Sequence, residues 1–168
     1  MAGGGYLYFR YNHLMLKLIP MTATEYEVFL ERTIPEYAED KIRAGVWAES
    51  EALEQSRREF SADLPQGLQT KNQYLYTLYD GTQAVGLIWL RANMDRPMKS
   101  GFVLELYVDE KQRGKGYGRQ AMLLIEQRAR ELGLKSIGLH VFGPNEIARH
   151  LYESIGYEVT SVNMSKTI

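Results

Sequence analysis

Arg113-Gly114-Lys115-Gly116-Tyr117-Gly118 lie between a strand-like run ending at Asp109 and a helical run starting near Tyr117. Glycines let a backbone approach a ligand closely, and successive N–H groups at a helix start form a cradle for anions, reinforced by the helix dipole. Lys111, Arg113, Lys115 and Arg119 add four positive charges within nine residues, a density that suits a ligand with several phosphates. A nucleoside-triphosphate loop would need Gly-Lys followed by Ser or Thr, which is missing here. A dinucleotide fingerprint fails too, because the glycines are spaced G-x-G-x-G and no acid stands near position 138 to hold a ribose. What remains is R-x-x-G-x-G, a pattern that an ordinary glycine-rich turn before a helix also fits.

Two further stretches carry polar groups that could meet a ligand. Asn145 is a natural N-cap, and Tyr152 follows it by seven residues, two helical turns or ~10.5 Å along one face. Both can therefore address one elongated ligand, although capping alone accounts for Asn145 and packing beside Leu151 and Ile155 accounts for Tyr152. Glu105 interrupts the apolar strand FVLELYVD. Strict alternation puts it with Val103, Tyr107 and Asp109 on one face, opposite Phe102, Leu104, Leu106 and Val108; a salt bridge or a solvated face fits it as well as chemistry does. His13, His140 and His150 have no metal-ligand spacing, and no metal is expected. His140 lies on a strand-like run and reads chiefly as a structural histidine, with proton transfer as the minor reading. No cysteine is present, which removes disulfides, thiolate metal sites and acyl relay through sulfur together.

These groups need a scaffold, and 168 residues at 45% apolar and 24% charged supply one globular domain with a real core. The net charge of -1 gives no global field to attract nucleic acid or an anionic membrane. No apolar run reaches the ~18 residues of a membrane helix, and Leu14 to Pro20, broken by Lys17, is too short for a signal-peptide core, so a cytoplasmic location is expected. The first residues, MAGGGYLYFRYN, read as an extension or an added edge strand; the division adopted is an extension over 1–14 and one domain over 15–168. Met15 to Pro20 reads as a first strand. Thr22 and Glu25 have capping-box spacing for a helix expected to stop near Pro35, followed by helical runs over about 36–43 and from Ser50 to before Pro65. QYLYTLYD, the turn Asp80-Gly81 and QAVGLIWLR form a hairpin signal. A strand over 102–109, a helix from Tyr117 to about Leu132 closed by Gly133, a strand SIGLHVF, a short helix from Asn145 to Ile155 and a last strand YEVTSVNMS complete the expected order.

In order and spacing, LELYV, QRGKGYG with its following helix, and NEIARHLYESIGYE resemble the GNAT superfamily of acyl-CoA-dependent N-acyltransferases over roughly residues 15–164. The likeness is to small stand-alone bacterial members. It implies an α+β (mixed α/β) fold: a central mixed, mostly antiparallel sheet whose fourth and fifth strands splay apart, with helices on both faces. It also implies that acetyl-CoA lies in the gap, its pyrophosphate on Arg113, Gly114, Lys115, Gly116, Tyr117 and Gly118 beside Arg119. Backbone groups of Leu106, Tyr107 and Val108 would meet the acetyl carbonyl and the pantetheine amides, and Asn145 the pantetheine arm. Tyr152 would protonate the leaving sulfur and Glu105 would serve as base, directly or through water.

Without a cysteine, direct attack of an amine in a ternary complex is favoured, the protein supplying position and two proton transfers. A lysine-like amine of pKa ~10.4 is neutral in roughly 1 part in 2,500 at pH 7, about 4.6 kcal/mol, whereas an α-amine near 7.8 faces only about 1 kcal/mol. Residues 22–63 hold 11 acids and 5 bases, which leans towards a cationic acceptor: a polyamine, an aminoglycoside-like compound or a protein amine. A solvated acidic face explains the same count. A non-catalytic acyl-CoA sensing module and an O-acyltransferase are the alternatives, and a homodimer is left open.

Overall fold

The computed structural model describes residues 7–11, 14–95, 97–164, 166 and 168. Residues 1–6 and His13, part of the expected extension, lie outside them. The elements in chain order are β1 (Leu7–Tyr11), β2 (Leu14–Pro20), α1 (Ala23–Arg43), α2 (Glu49–Asp63), β3 (Gln73–Asp80), β4 (Gln83–Asn93), β5 (Ser100–Val108), α3 (Tyr117–Glu131), β6 (Ser136–Leu139) and α4 (Glu146–Ser154). They form one six-stranded sheet in sequence order, antiparallel throughout except for the parallel β5–β6 pair.

Alternation along the strands divides the core in two. On one face Leu18, Leu78, Ile88, Leu90 and Val103 pack under Ala121, Met122, Leu124 and Ile125 of α3. On the other, Leu75, Leu87 and Trp89 meet Phe29 of α1 and Leu64 beyond α2, with Phe29 edge-on to Trp89 at 5.9 Å. Counted from β2, the fourth and fifth strands are β5 and β6, and they do splay. Their ladder runs from Ser100↔Ser136 to Val103↔Leu139 and stops, although β5 continues to Val108.

Four local expectations are corrected. Pro35 does not end a helix: α1 continues through it to Arg43. Buried Thr33 and Ala38 bracket the proline, and Ser56 Oγ of α2 donates to the Ile34 carbonyl at 2.8 Å, so tertiary contacts outweigh the ~3 kcal/mol that an interior proline costs. The run SIGLHVF is strand only to Leu139, leaving His140 exposed and edge-on to Phe142 at 5.0 Å. Residues 157–164 form no strand, and Val159, Val162 and Met164 are exposed; a period-two pattern is stabilised as a strand only when one face is packed, and these apolar residues are not. Strict alternation along β5 also fails. Trp89 pairs with Glu105 but Leu90 with Val103, so Leu104 is the extra residue of a bulge. Val103, Leu106 and Val108 consequently face α3, while Leu104 and Tyr107 face the α1–α2 layer.

Candidate active site

The phosphate-loop candidate is built by backbone conformation. Gly114 (φ 78°) and Gly116 (φ 83°) occupy the left-handed region, which costs an ordinary L residue roughly 1–2 kcal/mol. Gly116 is the N-cap of α3 and no side chain caps this helix, so the N–H groups of Tyr117, Gly118 and Arg119 have no intrahelical partner. Unpaired donors converging at a helix start have the geometry that suits an anion. Gly118 does something different. A Cβ there would meet Leu151 Cδ2 of α4 at 3.2 Å, so its bareness lets α4 lie close to the first turn of α3.

The side chains of the motif serve mainly as braces. The Tyr117 ring is buried and its hydroxyl donates to Asp80 Oδ2 at 2.6 Å, tying the loop to the end of β3; burial first, then the Asp80 charge, pushes that phenol up to about 12. Tyr117 can therefore offer a ligand its backbone but not its ring. Arg113 Nε donates to the Val108 carbonyl at 3.1 Å, Lys115 Nζ to Gln112 Oε1 at 2.7 Å, and Arg119 Nη1 to Ser154 Oγ of α4 at 3.0 Å.

In the open stretch of β5, a Cβ at Gly86 of β4 would lie 2.1 Å from the Tyr107 carbonyl oxygen, so Tyr107 directs its backbone towards β4. Leu106 and Val108, one residue out of phase, direct theirs into the gap left by β6. With the Val108 carbonyl taken by Arg113, the groups left for a ligand are both of Leu106 and the N–H of Val108. Asn145 caps α4, its Oδ1 accepting from the Ala148 N–H at 3.2 Å, which leaves its amide nitrogen available.

Glu105 and Tyr152 approach the gap from different layers. Tyr152 packs against the α3-side core, 6.0 Å from the Tyr157 ring; burial raises its phenol and the Glu105 charge raises it further, so it carries its proton at neutral pH. Glu105 looks towards α1, where Arg32 Nη2 stands 3.7 Å from its Oε1. Burial raises its carboxyl, Arg32 works against that, and Glu36 and Asp40 add to the rise. Arg32 is the residue that sequence reasoning missed. Its signal was the i, i+4, i+8 series Arg32, Glu36, Asp40, which puts the three on one side of α1. Much of the acidic excess over 22–63 is otherwise engaged locally: Glu25 in the capping box with Thr22, Asp40 with Arg43, Asp63 with Arg91. Among the described residues no group of three or more His, Asp or Glu could hold a metal ion, and no helix is long and apolar enough to cross a membrane.

A loop that cradles anions, beside a strand parted from its neighbour, is the arrangement expected of an acyl-CoA site, and residues 33–157 match the model of the "Acetyltransferase (GNAT) family". The chain belongs to that family. Uncharacterized N-acetyltransferase YycN of Bacillus subtilis (strain 168) is 36% identical over 156 residues, 92% of this chain and 100% of the relative. Uncharacterized N-acetyltransferase YdgE of the same organism is 35% identical over 149 residues, 88% of this chain and 95% of the relative. The crystal structure of YycN superposes with a TM-score of 0.85 at 37% identity, covering 91% of this chain and 98% of that one. Acetyl transfer is thus the general chemistry of this GNAT chain.

Proposed function

We propose that the protein is an N-acetyltransferase that passes the acetyl group of acetyl-CoA directly to an amine held between Glu105 and Tyr152. The observation that carries this reading is the parting of β5 from β6 beyond Val103 and Leu139, because Glu105 to Val108 lie in the open stretch and the uncapped start of α3 lies just beyond it. The N–H groups of the 114–119 turn would take the pyrophosphate, Leu106 and Val108 the pantetheine amides and the acetyl carbonyl, and the Asn145 amide nitrogen a pantetheine oxygen. Acetyl-CoA supplies an activated thioester; the residues supply alignment and protons. Glu105 takes a proton from the acceptor ammonium, the freed amine forms the C–N bond as the C–S bond breaks, and the Tyr152 hydroxyl donates to the departing sulfur. The second proton, which the new amide nitrogen sheds, restores the Tyr152 hydroxyl. A carboxyl raised by burial suits a base, and a phenol that keeps its proton suits an acid.

Glu36 beside Glu105 adds negative charge that favours a cationic acceptor, with Arg32 as the competing cation. A screen of small diamines, aminoglycosides, amino acids and basic peptides, followed by CoA release and product mass, tests this. An acetamide formed on a cationic amine is the expected product. Release of CoA by no amine, with the thioester still bound, would point to a sensing module, and an ester product to O-acylation.

A further inference from the structure

Beside Glu105 the structure already holds a cation. The Arg32 guanidinium lies over the Tyr107 ring with its central carbon 3.7 Å from the centroid. It donates to Glu36 Oε2 at 3.1 Å and to Thr33 Oγ1 at 3.1 Å, and stands 3.7 Å from Glu105 Oε1. An aromatic face flanked by carboxylates is a recognition device for cations in general, since ring quadrupole and negative charge act together. The present occupant, its side chain 21% exposed, is held by several single contacts. Its distance to Glu105 exceeds hydrogen-bonding range, its hydrogen bonds to Glu36 and Thr33 are single, and the Glu36 side chain is 55% exposed. Nothing locks the guanidinium in the two-pronged geometry that makes arginine–carboxylate pairs strong.

We propose that Arg32 is a built-in occupant of the acceptor's cation subsite, displaced from the Tyr107 face by an ammonium group of an aliphatic di- or polyamine. Without the guanidinium, Glu105 and Glu36 present two carboxylates beside the Tyr107 ring. One amine of a diamine then meets Glu105 for reaction while the other stays charged between Tyr107 and Glu36. Arg32 thus sets a threshold: a monoamine gains too little to expel it, and a dication replaces its charge and adds one. The inference rests on the amine-acceptor reading above and assigns the acceptor class within it.

Calorimetric titration of 1,4-diaminobutane, and separately of succinate, into the CoA-saturated protein tests it in wild type and Arg32→Met. The variant is expected to bind the diamine roughly tenfold more tightly, because the competing charge is gone and the ring remains, and succinate is expected to bind neither protein. Should Arg32→Met fold poorly, Arg32→Gln removes the charge while keeping a donor for Glu36, and the same gain is expected. Adding Tyr107→Leu to Arg32→Met should abolish the gain. Diamine affinity unchanged or weakened in the folded variant would overturn the proposal, as would succinate binding that requires Arg32, which would make Arg32 an anchor for an anionic acceptor. A gain in diamine binding without acetylation of any amine would uphold the cation subsite while defeating the acceptor reading; acetylation of amines without that gain would do the reverse.

Discussion

The α3–α4 face of the sheet and the α1–α2 face converge on the same gap between β5 and β6, and they are constructed differently. On the α3–α4 side the proposed binding groups are backbone N–H donors, fixed by two left-handed glycines and an uncapped helix start, with side chains bracing the loop from behind. On the α1–α2 side they are side chains: Glu105, Arg32, Glu36 and the Tyr107 ring, brought together from a long helix and a bulged strand. The first construction suits a ligand part that never varies, since backbone geometry changes little when side chains are replaced. The second suits a ligand part that a single substitution can respecify, because exchanging one side chain on α1 changes the charge beside Glu105.

If this division holds, substitutions on the two sides should fail in different ways. The largest loss is expected from Tyr152→Phe, which removes the proton for the leaving sulfur: single-turnover rates should fall 10²- to 10⁴-fold with acetyl-CoA affinity nearly unchanged. An unaffected rate would make Tyr152 a packing residue. Gly116→Val forces a β-branched residue to φ 83° and turns the donors away from their common focus. CoA affinity by calorimetry should drop by about two orders of magnitude, and unchanged affinity would remove the phosphate assignment from this loop. Gly118→Ala sharpens the contrast within one motif. Its added methyl presses on Leu151 and shifts α4 while the Gly118 N–H stays in place, so kcat should fall several-fold while CoA affinity barely moves; a matching loss of CoA affinity would mean that the Cα of Gly118, and not its N–H alone, lies against the ligand. Smallest is Tyr117→Phe, which deletes the hydrogen bond to Asp80 and should lower stability by about 1 kcal/mol, read as a modest fall in Tm.

The two sides also differed in how far the sequence disclosed them. The glycine loop is local: glycine spacing, the strand before it and the helix after it all fall within about thirty residues, and α3 begins at Tyr117 as the pattern indicated. Tyr152 and Asn145 were legible for the same reason, lying two turns apart on one short helix. The acceptor side depends on tertiary facts that no local pattern carries. Pro35 read as a helix end because its intrinsic cost is large, yet α2 holds α1 together through it and so keeps Glu36 and Asp40 in line with Arg32. The bulge at Leu104 is equally silent in the sequence; it moves Val103 to the α3 face and keeps Glu105 and Tyr107 towards α1. The terminal run 157–164 had the alternation of a strand, but its apolar residues Val159, Val162 and Met164 stay exposed and it pairs with none of the six strands.

The central claim is that Glu105, from the α1–α2 side, deprotonates an acceptor while Tyr152, from the other, protonates the leaving group. It is tested most directly by kcat/KM profiles for wild type and Glu105→Gln from about pH 6 to 10, which span the amine range, with an acceptor found by the screen. Glu105 must be ionised to act, and burial raises its carboxyl, so wild-type activity should fall as pH drops through a value above the ordinary glutamate range. Glu105→Gln should be slowest near neutral pH, where few acceptor amines are free, and should approach wild type as pH nears the acceptor's own pKa. Two parallel curves, with the same defect at every pH, would contradict the account and reduce Glu105 to a brace for Arg32.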